Sequence, residues 1–121
     1  MTKIRAMRVE DVETVARMDA LDYDHDPEKG YKEAKGHALD HLKIVPEKCY
    51  VVEDDKCSII GAMVLHPQKE VFEIEDFHVK AIQTNREALT LLKKKLMEHL
   101  EGVGTEVLCC PYAIRRLMEE E

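Results

Sequence analysis

The chain has 121 residues, a formal net charge of -7 and 36% charged residues. This length predicts a single domain, residues 1–121. A uniformly acidic protein repels phosphate backbones, so we expect no nucleic-acid partner. Apolar residues make up 45% of the chain, whereas aromatic residues make up 5% and Trp is absent. The core should therefore be aliphatic.

The N-terminus lacks the apolar segment of a signal peptide. No apolar run approaches the roughly 20 residues that span a bilayer. We therefore expect a cytoplasmic location and no membrane partner. The four cysteines should be reduced thiols in that compartment, and the absence of any C-x-x-C spacing predicts no zinc ribbon.

The first part of the chain predicts one strand and two helices. Ile4–Met7 is typical of a short strand. Glu10–Leu21 is predicted to be helical because Val12, Val15 and Ala16 fall on one face. A polar loop follows. The second helix is predicted from a shared face formed by Tyr31, Ala34, Ala38 and Leu42.

Three consecutive strands are predicted next, over Cys49–Glu53, Ser58–His66 and Val71–Val79. The middle segment is almost continuously apolar, which is typical of a central strand covered on both faces. Short turns join the three segments, so they should form an antiparallel meander.

A strand–helix–strand unit ends the chain. Thr84–Leu100 is predicted to be a helix and Thr105–Cys110 a strand. Such a crossover normally makes the two strands parallel, and a final helix should begin at Pro111. The predicted fold class is therefore α/β, with a mixed sheet, an antiparallel meander before a strand–helix–strand crossover, and helices on both faces.

This order of elements resembles the GNAT superfamily of acyl-CoA N-acyltransferases. The resemblance rests on short segments along nearly the whole chain. They are Ile4–Arg5, Arg8–Val12, Tyr50–Glu53, Ile59–Val64, Ile74–Val79 and Ala113–Leu117. The family's C-terminal strand pair has no counterpart before Glu121. The resemblance therefore implies a minimal or degenerate GNAT domain, a domain whose missing edge comes from a second copy, or a truncated chain.

The family's diagnostic motif is Q/R-x-x-G-x-G/A at the start of the helix after the fourth strand. Backbone N–H groups there bind a pyrophosphate, and glycines allow close approach. The matching stretch is Gln83–Ala88, in which Arg86 replaces the first glycine. Arg86 either pairs with phosphate or blocks the groove. The resemblance implies that coenzyme A is bound by Phe77, His78, Val79, Gln83, Thr84, Asn85, Arg86 and Ala88.

The catalytic candidates are Glu75 and Glu73. An amine must lose a proton before it attacks a thioester, and a carboxylate on the fourth strand often accepts that proton in this family. The two residues lie two apart, so in a regular strand they share a face. The alternative interpretation is two solvated acids. The family's Tyr in the last helix has no counterpart at Leu117–Met118, and Tyr112 lies earlier.

The resemblance implies transfer of an acetyl or other acyl group from acyl-CoA to a primary amine, on a small molecule or a peptide, without a metal. The alternative is an inactive GNAT-like module that acts through protein contacts or senses a CoA metabolite. An unpaired strand at Thr105–Cys110 would be an association surface, so we expect a homodimer.

Two other patterns resemble metal sites. The spacing of Asp22, Asp24 and Asp26 resembles a calcium loop, but Pro27 occupies the position of the sharp-turn glycine. His37 and His41 lie four apart on a predicted helix without an evident third ligand. Neither pattern predicts a metal.

Overall fold

The computed structural model describes residues 2–67, 71–100 and 106–109, and for residues 22, 66, 67, 71–73, 75, 100 and 106–109 it describes the backbone alone. Within these ranges five strands form one sheet in the order β1-β2-β3-β4-β5. The strands are β1 (Lys3–Ala6), β2 (Cys49–Glu53), β3 (Ile59–Pro67), β4 (Val71–Val79) and β5 (Glu106–Cys109). The helices are α1 (Val12–Tyr23), α2 (Pro27–Ile44) and α3 (Arg86–Leu100).

The sheet is mixed, as the sequence predicts. Strands β1 to β4 pair antiparallel with their neighbours, and β5 pairs parallel with β4 after the α3 crossover. The predicted α/β fold class, the meander and the crossover are thus confirmed. The predicted final helix from Pro111 lies outside the described residues.

Two helix starts differ from the prediction by two residues. The first helix begins at Val12, because Val9–Asp11 forms a 3₁₀ turn. The carboxylate of Asp11 accepts a hydrogen bond from the backbone N–H of Arg8 at 2.8 Å, which favours that turn. The crossover helix begins at Arg86, because Thr84 belongs to a turn closed by a hydrogen bond from its own amide to the carbonyl of Ala81.

Helices cover both faces of the sheet, as predicted. Helix α3 packs its buried residues Ala88, Leu92 and Leu96 against one face. Helices α1 and α2 cover the other face, where Val12 and Ala38 meet alternate residues of β2 and β3. Strands β2 and β3 therefore contribute to two aliphatic cores; in β2, Val51 lies on the α1–α2 side and Val52 on the α3 side.

Helices α1 and α2 lie unusually close together at Gly30. A Cβ atom at this position would lie 1.9 Å from the backbone oxygen of Ala20. Glycine is needed here because the two backbones touch. None of the described helices is long and apolar enough to cross a membrane.

Candidate functional site

The fourth strand changes its pairing in the middle. In β4, Ile74 pairs with Leu65 of β3 and Asp76 pairs with Val64, so the register skips Glu75. This irregularity is a β-bulge, which bends a strand and increases its twist. In a regular strand, residues three apart point to opposite faces of the sheet. Ile74 and Phe77 are three apart, yet both lie in the α3-side core, which confirms the bulge between them.

In the part of the chain that the structure describes, β5 pairs with the first part of β4. Their described pairing runs from Val71 with Glu106 to Ile74 with Cys109 and stops beside the bulge. The remaining stretch of β4, Glu75–Val79, pairs with β3 on one edge, and within the described residues no strand lies along its other edge. An unpaired strand edge offers backbone N–H and C=O groups to a ligand.

The β4–α3 turn, Lys80–Asn85, follows directly. Ala81 adopts a left-handed conformation with φ 44°, and the amides of Thr84 and Asn85 both donate to its carbonyl. Asn85 precedes α3 and its side-chain amide donates to the Lys80 carbonyl. These bonds fix the turn at the end of the open strand edge.

The turn borders a cavity of about 270 Å³, lined by Ala81, Ile82, Gln83 and Thr84. The first amides of a helix have no partner inside the helix and carry partial positive charge. Arg86 is the first residue of α3 and is exposed. It is not among the residues that line the cavity, so its guanidinium does not fill it.

The predicted cofactor residues occupy three different environments. Gln83, Thr84 and Arg86 are exposed and Asn85 is half-buried, and all four belong to the turn or the helix start. Phe77, Val79 and Ala88 are buried in the α3-side core, so their side chains are not accessible to a ligand. The Ala88 amide donates to the Asn85 carbonyl. His78 lies on the opposite face and is half-buried.

Glu73 and Glu75 both lie in β4, but their side chains are outside the described part of the chain. In a regular strand, residues two apart share a face of the sheet. The bulge at Glu75 interrupts this alternation, so strand geometry no longer places Glu73 and Glu75 on one face. Their role as proton acceptors stays a prediction.

A larger cavity, the α1–β4 cavity, opens on the α1 side at the same end of β4. Its volume is about 550 Å³. Small-molecule sites commonly measure about 300–1,000 Å³. The cavity is lined by Glu13, Thr14, Arg17 and Met18 of α1, Ile59 of β3, His78 of β4, and Lys80, which follows that strand.

A buried carboxylate stands behind His78. The side chain of Asp19, on α1, is 1% exposed, and its Oδ1 lies 3.7 Å from Nδ1 of His78. This distance is within the range of an ion pair but exceeds that of a hydrogen bond.

Sequence reasoning missed Asp19. A signal exists, because Asp19 continues the apolar face of Val12, Val15 and Ala16 at helical spacing, where an acid is unusual. It also missed Arg17 and Lys80. No local pattern marks these two residues, because they come to line one cavity only in the folded chain.

The two metal-like patterns have other roles. The carboxylate of Asp26 accepts from the Glu28 amide and caps α2, and that of Asp24 accepts from the Asp26 amide. His41 Nδ1 donates to the His37 carbonyl at 2.7 Å, and the two rings stack. Within residues 2–67, 71–100 and 106–109, no group of three or more His, Cys, Asp or Glu side chains is arranged to hold a metal ion.

No protein-family model matches the sequence, and no curated protein is significantly similar to it. Solved structures do match. An N-acetyltransferase from Staphylococcus aureus Mu50 superposes with a TM-score of 0.70 at 14% identity, over 99% of this chain and 81% of that one. A GNAT-like decarboxylase, GphF, in complex with isobutyryl-CoA, gives a TM-score of 0.64 at 13% identity, over 98% of this chain and 72% of that one.

A putative acetyltransferase from Pyrococcus horikoshii matches with a TM-score of 0.63 at 18% identity, over 80% of this chain. The match spans 34% of the length of that protein. At such identities the likeness concerns the fold. The chain has the fold of the GNAT superfamily, as the sequence motifs predicted.

Proposed function

We propose that this chain binds an acyl-CoA thioester at the end of β4 and transfers the acyl group to a primary amine. The observation that carries the proposal is the joint position of the open β4 edge and the β4–α3 turn. Among the described residues, pairing with β5 reaches Ile74, and the turn at Lys80–Asn85 follows the stretch of β4 that has no described neighbour on that edge. A long ligand with a phosphate at one end fits this arrangement.

Different parts of the chain would bind different parts of the cofactor. Amides at the start of α3, with the Arg86 guanidinium beside them, would hold the pyrophosphate through charge-assisted hydrogen bonds. The open edge of Glu75–Val79 would bind the extended arm through backbone groups and orient the thioester carbonyl. Such positioning accounts for much of the acceleration of a two-substrate reaction.

The thioester supplies an activated acyl carbon. The protonated amine first gives one proton to a protein base. Its nitrogen then forms the C–N bond, the C–S bond breaks, and the electron pair leaves on sulfur. The thiolate takes up the second proton from nitrogen. The products are an amide, a free thiol and one proton. Glu75 and Glu73 are the proton acceptors that the sequence predicts.

Binding of acetyl-CoA tests the first half of the proposal. We expect acetyl-CoA to raise the melting temperature of the protein, and Arg86→Glu to weaken binding at least about tenfold, because the new carboxylate repels phosphate. The matched control is Lys94→Glu, an exposed position on the same helix. No stabilisation at millimolar acetyl-CoA would refute the proposal.

Turnover tests the second half. Release of a free thiol from acetyl-CoA in the presence of amines is the expected result. Binding without thiol release, over a broad amine panel, would instead favour a module that senses a CoA metabolite. Loss of turnover in Glu75→Gln or Glu73→Gln, with acetyl-CoA affinity unchanged, would locate the base on that residue.

A further inference from the structure

A lysine, a histidine and a tyrosine form a hydrogen-bonded chain at the C-terminal end of α3. The Lys48 ammonium contacts Nδ1 of His99 at 2.9 Å, and Nε2 of His99 contacts the hydroxyl of Tyr50. We propose that Lys48 is a modification site of this protein. Its amine takes an acyl group from an acyl thioester, and His99 is the base that removes the amine proton.

Hydrogen-bond chemistry fixes which nitrogen of His99 can accept a proton. The Tyr50 hydroxyl has one hydrogen, which it donates to the Glu47 carbonyl at 2.8 Å, so its oxygen accepts from Nε2 of the histidine. Burial raises the pKa of Tyr50, which keeps its hydroxyl protonated in this role. An ammonium group has donors only, so Nδ1 accepts from Lys48. Both contacts place the ring proton on Nε2 and direct the lone pair of Nδ1 at the lysine.

The charge state of His99 suits a base. Burial, followed by the charges of Lys48 and Lys95, lowers the pKa of His99 below 6.5. The ring is therefore neutral near neutral pH. A nucleophile within hydrogen-bond reach of a base, with the base oriented by a third group, is the arrangement that activates nucleophiles in enzymes. Lys48, His99 and Tyr50 occupy these three positions.

The backbone holds the three side chains in register. Pro46–Lys48 forms a 3₁₀ turn directly before β2, and the amide of Lys48 donates to the Val45 carbonyl at 2.9 Å. Tyr50 belongs to β2 and His99 to the last turn of α3. The residues Lys48, Tyr50 and His99 are all half-buried, so the amine is held against the ring and is still reachable from solvent.

The acyl transfer balances without a further reagent. Lys48 releases one proton to solvent, and its neutral amine attacks the carbonyl carbon of the thioester. The C–N bond forms, the C–S bond breaks, and the electron pair leaves on sulfur. His99 accepts the second proton from nitrogen and passes it to the thiolate. The products are an amide on Lys48, a free thiol and one proton.

This modification does not depend on the cofactor site proposed above. Helix α3 begins at Arg86 and carries His99 in its last turn, so about 20 Å of helix separates the β4–α3 turn from the lysine. Any acyl thioester that reaches the surface can be the donor. Acylation of Lys48 and acyl transfer to a free amine can therefore be present or absent separately.

Acetylation rates measured lysine by lysine test the proposal. The donor is S-acetyl-N-acetylcysteamine, a thioester without a nucleotide, and peptide mass spectrometry measures the rate at each position. We expect Lys48 to react about tenfold or more faster than Lys95 and Lys43. Lys95 is half-buried beside the ring of Tyr50 but pairs with Glu98 at 3.1 Å. Lys43 is exposed. Acetylation of Lys48 at the rate of these two lysines, or more slowly, would overturn the proposal.

Two variants test the base and its orientation. His99→Asn should slow the acetylation of Lys48 to about the rate of Lys43, and leave the rate of Lys43 unchanged. Tyr50→Phe removes the oxygen that accepts from Nε2, and should slow Lys48 less because the base remains. Melting temperatures show whether each variant is folded at the reaction temperature. An unchanged rate at Lys48 in either folded variant would contradict the assigned roles.

A second donor separates this proposal from the acyl-transfer function. Arg86→Glu should leave the acetylation of Lys48 by the small thioester unchanged. Rapid acetylation of Lys48 by that thioester, in a protein that acetyl-CoA does not stabilise, would support the modification site and refute the acyl-transfer function. Acetylation of Lys48 by acetyl-CoA alone, abolished by Arg86→Glu, would show that bound cofactor directs the reaction, and would contradict the proposal.

The His99 ring gives a readout of the acylated state. The charge of Lys48 is one of the causes that lower the pKa of His99. Acylation removes that charge and keeps one N–H for Nδ1. The pKa of His99, measured by NMR titration of its ring signals, should therefore be higher in the protein acetylated at Lys48. An unchanged pKa would contradict the contact on which the proposal depends.

Discussion

At the scale of single residues, Arg5 is the clearest electrostatic contact of the fold. Its guanidinium donates to both carboxylate oxygens of Asp11, at 2.7 and 2.9 Å, and its Nε lies 3.2 Å from Glu53. The side chains of Asp11 and Glu53 are 8% and 9% exposed. Arg5 thereby joins β1 to the start of α1 and to β2.

Arg5→Gln should lower the free energy of unfolding by about 3 kcal/mol, because it leaves two buried carboxylates without their cation. Denaturant titration measures this change. Lys3→Gln is the control: Lys3 is 65% exposed and 3.8 Å from Glu53, so its loss should change stability by less than about 1 kcal/mol. Equal losses in the free energy of unfolding of the two variants would contradict the idea that burial makes the Arg5 ion pairs the more important ones.

His99 makes stability depend on pH. Its Nε2 donates to the Tyr50 hydroxyl, which donates in turn to the Glu47 carbonyl, and its Nδ1 accepts from Lys48. Burial, followed by the charges of Lys48 and Lys95, lowers the pKa of His99 below the ordinary 6.5. The folded protein thus binds this proton less readily than the unfolded chain.

The sign of the pH effect follows from linkage. Below pH 6.5 the unfolded state gains the proton first, so the contribution of His99 to stability is complete above pH 6.5 and falls as the pH drops toward the lowered pKa. His99→Asn should lose less stability than the wild type between pH 7 and pH 5, measured by urea unfolding at each pH. Identical losses would contradict the role of His99.

At the scale of elements, helix α2 contains two glycines in different surroundings. A Cβ at Gly30 would lie 1.9 Å from the Ala20 oxygen, whereas one at Gly36 would meet nothing within 4 Å. Both glycines lie in α2. They form a matched pair in which only the contact with α1 differs.

Gly30→Ala should destabilise the protein by about 1–3 kcal/mol or more, because the helices must separate. Gly36→Ala should stabilise it by about 0.5–1 kcal/mol, because alanine is the better helix former. Thermal unfolding of the two variants measures both changes. A stabilising Gly30→Ala would show that the helices do not pack as closely as described.

The elements also show what a sequence can predict. The bounds of β2 and β4 agree with prediction, because apolar runs and short turns are local signals. The bulge at Glu75 was not predicted, since a register shift depends on the partner strand β3 and not on β4 alone. That shift matters for the site, because strand alternation had placed Glu73 and Glu75 on one face.

At the scale of the molecule, the site forms where distant segments meet. The turn motif around Gln83 was visible in the sequence because its residues are contiguous. The α1–β4 cavity was not, because α1 and the end of β4 are far apart in the chain and meet only through the fold. Strand β5 lies at the edge of the described sheet, and the expected homodimer stays a prediction.

The account depends on acyl-CoA binding along the open edge of β4 and over the β4–α3 turn. Amide chemical-shift mapping by ¹H–¹⁵N NMR during titration with acetyl-CoA tests this most directly. We predict that the largest shifts cluster at Phe77–Val79 and Ala81–Glu87. Saturating acetyl-CoA that leaves these amides unchanged, or shifts only amides elsewhere, would contradict the account.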